Sequence, residues 1–91
     1  MYSYDFPAEA MLEVALVEEI PRGIKSNGEA TERVERGHFK LNDLGKSRLY
    51  VFKNNPPYIR IRLSDGYVFY NEEDPERTEQ VYAQLMQFLQ R

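Results

Sequence analysis

The C-terminal third of the chain constrains the fold more than any other stretch. Residues 58–70 contain two runs in which apolar and other residues alternate, separated by Asp65-Gly66. After Asn71-Glu-Glu-Asp-Pro75, apolar residues recur every three to four positions, as on one face of a helix. Asp-Gly between such runs is a strong hairpin signal. A meander of strands that ends in one amphipathic helix is typical of a small roll or barrel capped by that helix. The order of elements therefore predicts a mainly β domain with one C-terminal α-helix.

The hairpin also predicts a register. A two-residue Asp65-Gly66 loop sets Leu63 opposite Val68 and Ile61 opposite Tyr70. Opposed residues share a face, so one face of the hairpin should be apolar and the other mixed. The two expected sets are Ile59, Ile61, Leu63, Val68 and Tyr70 on one face, and Arg60, Arg62 and Phe69 on the other.

The last helix has a clear predicted start. Asp74 suits an N-cap, and Pro75 suits the first helical position, where its missing N–H costs nothing. Glu76 and Glu79 lie near the positive end of the helix dipole. Apolar residues then repeat every three to four positions. We expect a helix over 75–89 with three residues buried against the sheet: Val81, Leu85 and Phe88.

Upstream of the hairpin the signals weaken. Residues 47–53 predict a strand, so that residues 47–70 should form three consecutive antiparallel strands. Residues 2–6 suggest a short edge strand, and residues 11–20 fit either a strand or a helix, with their alternation favouring a strand. Residues 22–28 are expected to be a loop, and residues 29–40 a polar segment in which Gly37 marks a bulge.

Composition limits the functional classes. The 91 residues predict a single domain over 1–91. The net charge of −3 argues weakly against nucleic acid as a partner, because protein surfaces that bind nucleic acid are basic. No membrane-length apolar run and no signal peptide are visible. We therefore expect a cytoplasmic location, and leave open a membrane-peripheral one or fusion to a membrane segment.

Several segments resemble a family of bacterial pleckstrin-homology-like domains of unknown function. The resemblance is carried by Gly37-His-Phe-Lys-Leu-Asn-Asp-Leu-Gly45, Lys46-Ser-Arg-Leu-Tyr-Val-Phe-Lys-Asn54, Asp65-Gly-Tyr-Val-Phe and the Asp74-Pro75 helix, and it covers roughly residues 11–90. It implies a strongly bent antiparallel sheet or barrel whose open end is capped by the C-terminal helix. It also implies a binding role in general and supplies no catalytic residues.

No residue pattern predicts catalysis. The single histidine, His38, has no second His or Cys with which to build a zinc site, and the chain has no cysteine. The serines lack a nucleophile-elbow context, and the glycines form no phosphate-binding or dinucleotide motif. We therefore expect no enzyme activity, no metal site and no cofactor.

A mixed sheet face is the first candidate site. If Val51 shares a face with Ile59 and Ile61, then Tyr50 and Phe52 join the arginines of the hairpin. Aromatic residues beside arginine are enriched at binding hot spots. The predicted partner-binding face is Tyr50, Phe52, Arg60, Arg62 and Phe69, which would engage a protein partner or a second copy. In the other interpretation, the arginine stems simply cover these rings within one molecule.

A basic set is the second candidate. Eukaryotic pleckstrin-homology domains use basic loops at the open end of the barrel, and the resemblance therefore suggests contact with anionic headgroups at a membrane surface. The residues expected to make that contact are Arg22, Lys25, Lys46 and Arg48.

Overall fold

A computed structural model describes residues 8–30 and 33–89 of the chain. It confirms a mainly β fold with one C-terminal helix that packs on the sheet. The predicted strand at residues 2–6 lies outside the described residues. The elements are a 3-10 helix (Ala8–Ala10), β1 (Glu13–Val17), β2 (Gly23–Ala30), β3 (Val34–Leu41), β4 (Gly45–Phe52), β5 (Tyr58–Leu63), β6 (Gly66–Tyr70) and α1 (Pro75–Leu89).

The six strands form one open, mixed sheet in the order β1-β5-β6-β4-β3-β2. Four of the neighbouring pairs are antiparallel, and β4 pairs with β6 in parallel. The prediction of three consecutive antiparallel strands over 47–70 is therefore wrong in its pairing, although the three strands exist. After β4, residues 53–57 lead the chain away from it, so β5 does not pair with β4. Strand β6 lies between β4 and β5 and pairs with both.

The hairpin of β5 and β6 keeps its predicted faces in a different register. Leu63 lies opposite Gly66, and Ile61 lies opposite Val68, two residues away from the predicted pairing. A shift of two residues preserves the face of every side chain. Gly66 has a φ of 151°, and a Cβ on it would collide with the carbonyl oxygen of Lys46. Glycine is therefore needed here for the close approach of β6 to β4.

Strand β2 corrects two further predictions. Residues 22–28, expected to be a loop, lie largely in this strand, which pairs with β3 along its length. The bulge interrupts the register between Lys25 and Asn27, whereas Gly37 pairs regularly with Leu49. An exposed edge strand buries few side chains, so its sequence lacks the alternation that identifies a strand.

The sheet separates two hydrophobic clusters. We call the face that α1 covers the outer face and the opposite one the inner face. The outer cluster contains Met11, Val14, Ile59, Ile61, Leu63, Val68, Tyr70 and Val81, and the inner cluster contains Phe39, Leu41, Leu49, Val51, Tyr58 and Phe69. Alternation along each strand assigns successive residues to different clusters, so both faces of the central strands are buried.

Helix α1 packs against β1 and β5. Asp74 caps it as predicted, since its Oδ1 accepts a hydrogen bond from the Glu76 N–H at 2.9 Å. Val81 is buried, but Leu85 and Phe88 are only half-buried, so the prediction of full burial is wrong for these two. They still pack against the outer cluster. The helix lies toward the β1 edge of the sheet, where fewer neighbours cover its last turns.

The inner face is concave because the two edge strands are joined directly. β1 and β2 lie at opposite edges of the sheet, and only residues 18–22 connect them. Six flat strands would span about 24 Å from edge to edge, whereas the connection reaches at most about 21 Å. The sheet must therefore curl, and the connection crosses the open side of the inner face.

The side chain of Asn71 joins the sheet to the helix. Its Oδ1 accepts a hydrogen bond from the Phe52 N–H at 2.7 Å, and its Nδ2 donates to the Phe52 carbonyl at 3.1 Å and to the Asn55 carbonyl at 2.9 Å. Asn55 in turn donates to the carbonyls of Glu72 and Glu73, and the Thr78 hydroxyl accepts from the Glu72 N–H. The end of β4 and the start of α1 are thus held by one network.

We expect Asn71→Ala to destabilise the fold. Asn71 is fully buried, and each buried polar group that loses its partner costs about 1–3 kcal/mol. The free energy of unfolding should therefore fall by at least about 2 kcal/mol in urea denaturation. Asn42→Ala, at an exposed turn position, is the control and should change it little. Equal stability of the two variants would contradict a structural role for this network.

Candidate functional site

The structure does not assemble the predicted aromatic and arginine face. Tyr50 pairs with Tyr70, which places it and Phe52 on the outer face, whereas Phe69 belongs to the inner cluster. Arg60 pairs with Phe69, so the arginines also lie on the inner face. The prediction assumed that β4 neighbours β5, and it is wrong because β6 lies between them. Of the five residues, Arg60, Arg62 and Phe69 share a face, and Tyr50 and Phe52 do not join them.

The arginines of β5 cover aromatic surface within the molecule. The Arg60 guanidinium lies 5.8 Å from the ring centroid of Tyr67. It also lies 3.5 Å from the carboxylate of Glu13, which is 4.0 Å from Arg62 Nε. Phe69 is completely buried beneath this layer. The second interpretation, in which the arginine stems cover the rings of the predicted face, is not confirmed as stated, because Arg60 lies over Tyr67 and Tyr50 and Phe52 lie on the opposite face.

A broad open groove lies on the inner face, and we call it the mouth. Its volume is about 990 Å³. It lies between the connection 18–23, strands β3 and β4, and residues 53–58. None of the residues that line it belongs to the described part of α1, so the helix covers the other side of the sheet and leaves the mouth open.

The mouth has an apolar floor and a charged rim. The floor consists of inner-cluster side chains: Phe39, Leu41, Leu49, Val51 and Tyr58. Ile20 reaches the mouth from the β1–β2 connection and is half-buried against the same cluster. Carboxylates and cations both stand on the rim: Glu18, Glu19, Arg22, Glu35 and Lys53. Sequence reasoning missed this site because its residues come from four separate segments that only the curled sheet brings together.

The predicted basic set is also divided. Arg22 is exposed at the rim of the mouth, and Lys25 is an exposed residue of the edge strand β2, paired with the inner-face residue Phe39. Lys46 and Arg48 lie on the other side of the sheet, where they line a cleft of about 440 Å³. The four residues therefore do not form one basic loop, because β3 and β4 carry the last two away from the mouth.

Sequence reasoning also missed the neighbours of Lys46 and Arg48. His38 pairs with Arg48, and Lys40 pairs with Lys46 across β3 and β4. The signal was present in the alternation of Val34-Glu-Arg-Gly-His-Phe-Lys-Leu41, which places Arg36, His38 and Lys40 on one face of a strand. The shared face of these basic residues was missed because residues 34–41 were interpreted as a polar segment and not as a strand.

Neither a metal-binding cluster nor a membrane-spanning helix is found among the residues that the structure describes. Among residues 8–30 and 33–89 there is no group of three or more His, Cys, Asp or Glu side chains placed to hold a metal ion. The one α-helix in this part of the chain is not long and apolar enough to cross a membrane.

Comparison with known proteins adds no family. No protein-family model matches the chain, and no curated protein or solved structure resembles it closely enough to count as a match. The resemblance to pleckstrin-homology-like domains stays a prediction.

We expect the Glu13 ion pairs to contribute little to stability. Half of the Glu13 side chain is exposed, and both arginines are partly solvated. Pairs of this kind are typically worth less than about 1 kcal/mol. Glu13→Gln should therefore shift the free energy of unfolding by less than about 1 kcal/mol, and less still at high salt. A loss as large as that expected for Asn71→Ala would show that this cluster is an essential part of the core.

Proposed function

We propose that the protein is a non-catalytic binding module that holds an extended segment of a protein partner in the mouth. The observation that carries this proposal is the open mouth, which has an apolar floor and a charged rim. A second function, contact with anionic headgroups through Arg22, Lys25, Lys46 and Arg48, loses support because the structure separates these residues.

The floor favours an apolar side chain as the anchor of the partner segment. The five floor residues are well packed, with at most 8% of their surface exposed, so the groove is preformed and needs little rearrangement on binding. Burying apolar surface contributes about 25 cal/mol per Å². A single large apolar side chain in the mouth would therefore supply much of the affinity of a weak peptide complex.

The rim favours a polypeptide over a membrane surface. Glu18, Glu19 and Glu35 carry negative charge, whereas Arg22 and Lys53 carry positive charge. A bilayer with anionic lipids would be repelled by the three carboxylates. A segment that carries both a basic and an acidic residue beside its apolar anchor would pair with both signs of charge on the rim. We expect the partner segment to have this composition.

Selection from a displayed peptide library tests the proposal. Enriched peptides should contain an apolar anchor with flanking charges. When titrated into isotope-labelled protein, they should shift the backbone amide resonances of Ile20, Gly23 and Lys53, which line the mouth. Ile20→Ser should weaken binding at least about tenfold, which corresponds to about 1.4 kcal/mol.

Ile24→Ser is the matched control. Ile24 is 75% exposed, lies in the adjacent strand β2 and does not line the mouth. Its substitution should leave peptide affinity unchanged, and thermal melting should show that both variants are folded. Equal loss of binding in the two variants, resonance shifts that cluster away from the mouth, or failure to enrich any peptide would each overturn the proposal.

A further inference from the structure

Strand β1 forms an unprotected apolar edge of the sheet. In the described part of the chain it pairs with β5 alone, in a regular register from Glu13 to Val17. Natural proteins usually blunt an edge strand with a bulge, a proline or a lysine. The five residues Glu-Val-Ala-Leu-Val of β1 include no such feature, whereas the opposite edge β2 has both a bulge and Lys25. The edge of β1 is therefore suited to pairing with another strand.

Apolar surface continues to this edge. Leu12, directly before β1, is 53% exposed, and Leu16, within it, is 36% exposed. Helix α1 packs above β1. Several of its apolar residues are only half-buried, among them Tyr82, Leu85, Met86 and Leu89. Apolar side chains that extend the outer cluster to an exposed edge indicate an interaction surface.

The sequence of the edge is complementary to itself. A twofold axis through Val14 would set the β1 strands of two copies antiparallel, with Leu12 of each copy opposite Leu16 of the other. On the other face, Glu13 of each copy would lie opposite Ala15. Apolar side chains thus oppose one another where they are now exposed, and no like charges are opposed.

Other axes fit less well. An axis through Glu13 would set the two glutamates opposite each other, which destabilises a strand pair. An axis through Ala15 would set the exposed Leu12 opposite Glu18. An axis between two residues would oppose inner-face with outer-face side chains, because a shift of one residue exchanges the faces of a strand. The axis through Val14 is therefore favoured.

The same axis brings opposite charges into one row of the inner face. Glu13 is paired with Arg62 of its own β5, and Ala15 is paired with Arg60. Across the dimer, the carboxylate of Glu13 would have Ala15 of the second copy as its next neighbour and Arg60 of that copy beyond it. The small side chain of Ala15 leaves room for this arginine to extend toward the carboxylate, so the two copies attract each other.

Helix α1 lies where two copies can bring their helices into contact. It packs on β1 and β5, and neighbouring strands are about 4.8 Å apart. A helix axis above the midline between these strands lies about 2.4 Å from β1, so the helices of two paired copies would lie about 9.6 Å apart. Packed helices are typically about 8–10 Å apart. The two helices would therefore cover part of each other's half-buried apolar surface.

We propose that the protein forms a symmetric dimer in which the β1 strands of two copies pair antiparallel about Val14. Their six-stranded sheets then join into one continuous sheet. The contact is isologous and closed, so association stops at the dimer. Because β1 is only about 17 Å long, the interface is at the lower end of the usual size range and the dimer should be weak. Residues 12–17 do not line the mouth, so this site is independent of the proposed peptide site.

Sedimentation equilibrium across protein concentration tests the dimer. The weight-average mass should rise from the monomer mass of 10.8 kDa toward twice that value and no further. Leu12→Lys combined with Leu16→Lys should raise the dissociation constant at least about tenfold, because like charges replace apolar pairs. Ile24→Lys, at the opposite edge, is the control and should leave it unchanged. A wild-type protein that stays monomeric, or an equal effect of the control, would overturn the proposal.

Mixing variants of opposite charge tests the pairing independently of folding. A chain with Leu12→Glu and Leu16→Glu should also be monomeric alone. An equal mixture of this chain with the one that carries Leu12→Lys and Leu16→Lys should form dimers again, since each introduced lysine then faces a glutamate. Circular dichroism checks that both chains are folded. A mixture that stays monomeric would contradict the proposed interface.

Disulfide trapping tests the register. The chain has no cysteine, so Glu13→Cys and Ala15→Cys each introduce a single thiol. Opposed residues in antiparallel strands have Cα atoms about 4.5–5.5 Å apart, within the range of about 4.4–6.8 Å that a disulfide spans. Under oxidation the two variants should cross-link to each other in preference to themselves, and equal yields of all three products would overturn pairing about Val14. Proton contacts between β1 and residues 1–7 in a monomer would show that the molecule's own chain fills the edge, which would also overturn the proposal.

Discussion

The parallel pairing of β4 with β6 is the constraint on which the rest of the structure depends. It places Leu49 beside Phe69 and Tyr50 beside Tyr70, and this alignment decides which side chains enter each hydrophobic cluster. Asn71 continues the alignment beyond the last residue of β6, because its amide bonds both the N–H and the carbonyl of Phe52. The same residue is joined through Asn55 to the backbone that leads into the helix. The hydrogen bonds of Asn71 thus fix both the pairing of β4 with β6 and the place where the helix begins.

The division into two faces explains how one small domain presents two different surfaces. The helix covers only the outer face near β1 and β5, so the curled inner face keeps an open mouth with an apolar floor. On the outer face beyond the helix, β3 and β4 carry four basic residues: Arg36, Lys40, Lys46 and Arg48. The inner surface is thus apolar at its floor, whereas this part of the outer surface is basic.

Local signals were enough to predict the C-terminal elements, but not the first half of the sheet or the arrangement of the strands. The Asp74-Pro75 start of the helix, the two faces of the β5–β6 hairpin and the strand at β4 each depend on a few neighbouring residues, and all three are present. The insertion of β6 between β4 and β5 depends on long-range pairing, so the predicted face of Tyr50 and Phe52 was wrong. Strand β2 was missed because an exposed edge needs no apolar alternation. The mouth was missed because it exists only after the sheet has curled.

The most direct test of this account is the pattern of through-space proton contacts between backbone atoms in the labelled protein. The account predicts contacts between Leu49 and Phe69 and between Tyr50 and Tyr70, with the evenly spaced pattern of parallel strands. Contacts between β4 and β5, such as Val51 with Ile59 in an antiparallel pattern, would contradict it. In that case the two hydrophobic clusters would be composed differently, and the mouth would not exist as described.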